Sequence, residues 1–284
     1  MENSHYSKSL CSRCELNESC NVGKGLIILF CGRYIKRGLE KNIKKMNLTI
    51  MAVTKMKGSH VCVAGINEEG EWIRPVRTDR LLVDDLFHEG KVVFEIYGIV
   101  NIYFRLHAPQ PPHSEDWVVD WTRKLSRIGN LSTQDMQTFF ESHSENDIII
   151  NEKDKDISSI LRDRNRSLIL IGPVEIHEVI FRNKSSSGKF ESRIKFSIAS
   201  DELENIYEFP CTDIKWRALG KKLCIQKNIQ YLEYTGSSIR TLLHFDKIYL
   251  TLGLSRLFRD KYWEMVVGVH TIPDYESKIN YTDL

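Results

Sequence analysis

Apolar and polar residues change rhythm twice along this chain. From residue 47, short β-branched and aromatic runs bounded by polar turns predict strands over 48–54, 59–66 and 71–75. Asn67-Glu-Glu-Gly70 supplies turn chemistry between the last two. Residues 78–87 read as a short helix. Residues 91–105 are a long apolar stretch, one bent strand or two, with Gly98 at the bend. Ala108-Pro-Gln-Pro-Pro112 then breaks regular structure. A helix is predicted over 132–142, capped by Ser132, and another over 156–166. Strand patterning returns at 168–171, 174–182 and 189–199. Residues 211–227 form the clearest helix of this half, with Ile214, Leu219, Leu223 and Ile225 on its apolar side. Late strands are expected over 247–252 and 262–270.

Many short strands with an interposed helix predict a mainly β protein, a β-barrel architecture of two OB-like folds with a few short helices. SH3-like barrels or a sandwich satisfy the same pattern. The expected organisation is a four-cysteine segment and basic connector over 1–46 and a first barrel over 47–107. A linker or helical insertion over 108–166 and a second barrel over 167–284 complete it.

The N-terminal segment carries the sharpest chemical signal. Cys11, Cys14, Cys20 and Cys31 fall within 21 residues, while Cys62, Cys211 and Cys224 are scattered. In a reducing compartment clustered thiolates favour a metal over disulfides. The C-x2-C-x5-C part resembles three ligands of the 4Fe-4S loop of endonuclease-III-type glycosylases, with the fourth cysteine downstream rather than upstream. Thiolates select a 4Fe-4S cluster or Zn over hard cations. So short a segment has no core of its own, and metal binding would be its folding energy.

Charge sharpens this picture. The 284-residue chain has a net charge of only +2, but residues 1–46 hold nine Lys/Arg against four acids. A surplus placed there suits a polyanion, or a solvated face. Ile35, Leu39 and Ile43 recur every four residues, so 33–45 reads as a basic amphipathic helix or linker. With 42% hydrophobic residues the chain can bury a core. It has no apolar run of about 18 residues, so no membrane span is expected, and the location expected is cytoplasmic.

Four segments carry a resemblance. They are Val61-Cys-Val-Ala-Gly65 with Gly70-Glu-Trp-Ile-Arg-Pro-Val76; Cys211-Thr-Asp-Ile-Lys-Trp216; Tyr249-Leu-Thr-Leu-Gly-Leu-Ser-Arg256; and Val267-Gly-Val-His-Thr-Ile-Pro-Asp-Tyr275. In this order they resemble the dual OB-containing domain family over roughly residues 47–275. Leu257 departs from the family, which has Pro after the late Ser/Thr-Arg. The resemblance implies two OB-type folds and no particular reaction.

OB barrels bind single strands by stacking bases on aromatics and tracking phosphates with cations. Trp72 with Arg74 offers such a pair, followed by Arg77 and Arg80; the plainer alternative is a core Trp72 and an ion-paired Arg74. Asp213, Trp216 and Arg256 complete the candidate ligand-binding set, although Asp213 also suits a helix cap. Asp274 and Tyr275 could line a cleft between the barrels. The partners expected are single-stranded DNA or RNA or a nucleotide-containing ligand, or a protein in a defence or repair system. Catalysis finds little support. The chain has no GxxxxGK(S/T), G-x-S-x-G or H-E-x-x-H, and Asp84/Asp85 or Asp116/Asp120 are bare candidates for Mg²⁺ in a nuclease.

Overall fold

A computed structural model describes residues 43–56, 58–77, 80–149, 166–184, 189–198, 205–257, 262–279 and 281. Cys11, Cys14, Cys20 and Cys31, most of the basic connector and almost all of the helix expected over 156–166 lie outside the described residues.

The first half is a closed five-stranded barrel. Its strands are β1 (Lys44–Lys55), β2 (His60–Asn67), β3 (Trp72–Val76), β4 (Gly98–His107) and β5 (Asp116–Val119). β1–β2, β2–β3, β5–β4 and β4–β1 are antiparallel and β3–β5 is parallel, so the order β1-β2-β3-β5-β4 returns to β1. That is the Greek-key closure of an OB barrel. β6 (Ser126–Asn130) continues the sheet along the first half of β4. Inward-facing Leu48, Ile50, Ile66, Val100, Ile102 and Phe104 fill the barrel. The Asn67 side chain shapes the β2–β3 turn by accepting from the backbone N–H groups of Glu69 and Glu71.

Several elements differ from the sequence expectation. Lys44 and Lys45 belong to β1, paired with Phe104 and Tyr103, rather than to a connector helix. The helix expected over 78–87 is a single 3-10 turn, Val83–Leu86, fastened where Asp85 accepts from the Leu82 N–H. The linker expected over 108–166 supplies β5 and β6. β5 escapes periodicity because it is short and opens on a buried, ion-paired Asp116; β6 is an edge strand whose residues are mostly exposed. The helix capped by Ser132 is present as α1 (Thr133–His143).

The second half winds the same way but stays open. β7 (Leu168–Ile171) is followed by a meander of β8 (Val174–Lys184), β9 (Lys189–Ile198) and β10 (Ile206–Pro210). Next come α2 (Ile214–Lys227), β11 (Tyr231–Thr235) and α3 (Gly236–Leu243), then β12 (Lys247–Leu254) and β13 (Glu264–Ile272). The sheet order β10-β9-β8-β11 repeats β3-β2-β1-β4, with a helix between its third and fourth strands. β13 touches the end of β10 in parallel only at Cys211–Val266, and otherwise pairs with β12, which pairs with β7. Strict alternation along β9 puts Phe190, Ile194, Phe196 and Ile198 in the core.

The two halves share an apolar seam. Leu170, Ile214 and Tyr249 join the first barrel's core, and Ala52 and Ala64 meet Leu168 and Val267. Gly268 lets β13 approach β1 closely: a Cβ there would stand 2.6 Å from the Met51 carbonyl oxygen.

Candidate nucleic-acid interface

The structure brings Arg74 and Arg256 together, on one carboxylate. Arg74, 5% exposed, donates from Nε to Asp116 at 2.6 Å and lies 3.2 Å from Glu115. Arg256, reaching from the second half, pairs with the other oxygen of Asp116. Beside them Ser167 Oγ contacts Glu115 and lies 2.6 Å from His113 Nδ1. Glu115 accepts from Ser167 Oγ, and the direction of the Ser167–His113 contact follows the imidazole tautomer. Burial, aided by Arg74 and Arg256, pushes the His113 imidazole down to about 2, so it stays neutral. Trp72 is half-buried against Ala52, Ala64, Leu168 and Val267. Each acid here meets a cation, so no cationic charge is left over for an anion.

Asp213 and Trp216 are fully buried. Asp213 caps α2: Oδ1 accepts from the N–H groups of Lys215 (2.6 Å) and Trp216 (3.0 Å), and Oδ2 accepts from Val269 (2.8 Å). Burial pushes its carboxyl up to about 6 against the pull of these donors and the Lys215 charge. Trp216 donates to Ser192 Oγ and packs among Phe181 and Tyr275. Nearby, His270 bridges Tyr97 (3.0 Å) and Thr251 (2.8 Å), and burial lowers it to about 3. Lys215 Nζ lies 2.6–2.7 Å from both Asp274 oxygens and 4.3 Å from the centroid of the Tyr275 ring. The segments that carry the family resemblance therefore supply most of the seam between the halves.

Exposed cations meet aromatic rings elsewhere, along β1, β4 and β5 of the closed barrel, at Tyr103 on its outer face and at Trp117 on the side of Phe104. Register sets these contacts: Lys45 stands opposite Tyr103, and His107 opposite Trp117. Lys45 Nζ and Arg123 Cζ sit 5.8 and 5.2 Å from the Tyr103 centroid. Lys44 Nζ is 5.2 Å from that of Trp117, on which His107 stacks at 4.5 Å. Arg105 and Arg123 both reach Asp120. Although burial pushes this carboxyl up, bonds from Thr122 and Arg105 hold it below its usual range. Lys44, Lys45, Arg105, His107 and Arg123 are exposed, and Tyr103 and Trp117 half-buried. The sequence reading passed over Tyr103 and Trp117. The signal for Tyr103 was outward alternation opposite a lysine of β1, whereas Trp117 follows the inward phase of Phe104 and Val119 on a strand too short to read.

The family model for the dual OB-containing domain matches residues 46–269. The chain belongs to the dual OB-containing domain family, whose fold is of a nucleic-acid-binding type. No curated protein matches the chain. Among the described residues no helix is long and apolar enough to cross a membrane, and no group of three or more His, Cys, Asp or Glu side chains is placed to hold a metal ion.

Proposed function

We propose that the protein binds single-stranded DNA or RNA on the exposed face of its closed barrel. Bases stack on Tyr103 and on the Trp117–His107 pair, and Lys44, Lys45, Arg105 and Arg123 contact phosphates. The observation that carries the reading is two cation-over-ring contacts at adjacent β1 positions, Lys45 over Tyr103 on the outer face of the barrel and Lys44 over Trp117 on the side of Phe104. The basic surplus of residues 1–46 leads in sequence directly into this face at Lys44 and Lys45. The β2–β3 side, which OB barrels commonly use, carries Ala64 and Trp72 against the second half and is covered. Fluorescence anisotropy with labelled single-stranded DNA and RNA over a salt series tests the proposal. Binding that weakens steeply with salt and with Tyr103→Ala is expected; no binding to either strand at low salt overturns it.

The same reading assigns Cys11, Cys14, Cys20 and Cys31 to a structural 4Fe-4S or zinc centre, on their spacing alone. Anaerobic purification with metal analysis tests it. Iron with a broad absorption band at about 400 nm indicates the cluster, and zinc without colour the alternative. Metal-free, folded protein removes the assignment. A protein partner is the second reading, supported by the edge strand β6. Its Ile128 is 57% exposed beside a groove of about 820 Å³ that Lys91, Glu95, Lys124 and Arg127 help line. Retention of partner protein by the parent but not by Ile128→Lys would favour it.

A further inference from the structure

An acid sits among the cations around Tyr103. Asp120 follows β5, and its N–H donates to the Tyr103 carbonyl at 2.7 Å. Its carboxylate is buried, with the side chain 3% exposed. Oδ1 accepts from Arg105 Nε at 2.8 Å, from the Thr122 hydroxyl at 2.6 Å and from the Thr122 N–H at 3.2 Å. Arg105 Nη2 lies 2.7 Å from the same oxygen, and Arg123 Nε lies 3.4 Å from Oδ2. The Arg123 N–H donates to the Asp120 carbonyl at 3.1 Å, so the turn that Asp120 closes is also the turn that carries Arg123. Tyr103 and Arg105 are two residues apart on β4 and share its outer face. Lys45, Arg105 and Arg123 thus gather around one ring and one carboxylate. Among the described residues no other acid pairs with any of the three. A negative charge placed here works against a polyanion, yet it is spent on two long side chains that are otherwise free to sample many rotamers. A guanidinium held by Nε keeps further Nη donors for an acceptor outside the fold.

We propose that Asp120 is a positioning residue for strand binding: it holds the Arg105 and Arg123 guanidinium groups beside Tyr103, where they meet the phosphates that flank a base stacked on that ring. The inference rests on the single-strand reading of this face. Side chains ordered before a ligand arrives spare the complex the cost of ordering them, and the planar fork of a guanidinium matches phosphate oxygens only in a fixed orientation.

Charge and positioning predict opposite signs for Asp120→Asn in the full chain. Asn keeps an acceptor for the Thr122 N–H, so the turn stays closed, and it removes the negative charge. Were charge alone at work, the face would become more cationic and bind a labelled single-stranded oligonucleotide more tightly. Positioning predicts affinity about tenfold weaker, with a melting temperature close to that of the parent. The second measurement repeats the substitution in an Arg105→Gln, Arg123→Gln background. No guanidinium is left there to position, and Asp120→Asn should no longer weaken binding. The inference is overturned if Asp120→Asn binds as tightly as the parent or more tightly, or if it weakens binding equally in both backgrounds, the mark of a general effect on the fold. If Asp120→Asn does not fold, Arg105→Lys with Arg123→Lys decides, because lysine keeps the charge and lacks the fork; affinity equal to that of the parent overturns the inference. A parent that binds no oligonucleotide removes the strand interface and the role of Asp120 with it. A parent that binds, beside an Asp120→Asn variant that is not weakened, removes the role of Asp120 alone.

Discussion

At the seam, Arg74 and Trp72 are enclosed between the two halves; on the outer face, Lys45 and Tyr103 stand in or near solvent. Both places pair cations with aromatic residues on strands of one barrel. The difference is the company they keep. Arg74 lies between Glu115 and Asp116, and Asp116 also holds Arg256, so charge is cancelled within the fold. Around Tyr103 and Trp117 the cations lie over ring faces, and Asp120 is the acid that pairs with Arg105 and Arg123. The first arrangement joins two halves, and the second keeps its cations exposed over half-buried rings.

Removing the carboxylate at the centre of the joint should have the largest effect. Asp116→Ala leaves Arg74 buried without its closest partner and is expected to lower unfolding free energy by about 3–5 kcal/mol in a denaturant titration. An unchanged midpoint would show that the joint does not hold the halves. Arg74→Ala should likewise act on stability, leaving oligonucleotide affinity per folded molecule close to that of the parent.

Acid should attack the seam and spare the outer face. His113 and His270 sit at about 2 and about 3 when folded, both below the 6.5 of a free imidazole. The unfolded chain therefore takes up protons first as pH falls. Their stability contribution is intact above pH 6.5 and is lost as pH drops toward the folded values, at up to about 1.4 kcal/mol per pH unit for each group. Asp213, raised to about 6 when folded, works in the opposite direction below pH 6 but is one group against two, so a denaturation midpoint that stays flat from about pH 7 to about pH 5 would contradict two buried neutral imidazoles.

On the outer face effects should appear in binding. Tyr103→Ala is expected to weaken single-strand binding by about 1–3 kcal/mol with little change in melting temperature. The smallest expected change is in Lys45→Ala, where the slope of log affinity against log salt should fall by about 1. Equal binding losses at Arg74 and Tyr103, measured on folded protein, would erase the distinction between the two regions.

Much of the barrel was legible because it follows period-two burial. β2, β3, β8 and β9 fall close to their expected positions, as do α1 and α2 with Ser132 and Asp213 as caps. β6, β10 and β11 were not, since edge strands such as Ser126–Asn130 and Ile206–Pro210 bury little and show no alternation to read. α3 opens with a glycine and two serines, and has the capping Thr235 as its main start signal. The roles of Trp72 and Arg74 were hidden for another reason. Whether a Trp–Arg pair faces a ligand or another part of the chain depends on what covers it, and the covering residues, Leu168, Val267 and Arg256, lie about 100 to 190 positions away. Tyr103 and Lys45, 58 positions apart, meet only through the ladder that closes the barrel.

The close contact of Ala52 and Ala64 with Leu168 and Val267 has a thermodynamic consequence. Neither half keeps a complete apolar interior when the other melts, because Leu170, Ile214 and Tyr249 fill space in the first barrel from outside it. Heating should therefore give one calorimetric endotherm, with van't Hoff and calorimetric enthalpies in agreement, rather than two separable domain transitions.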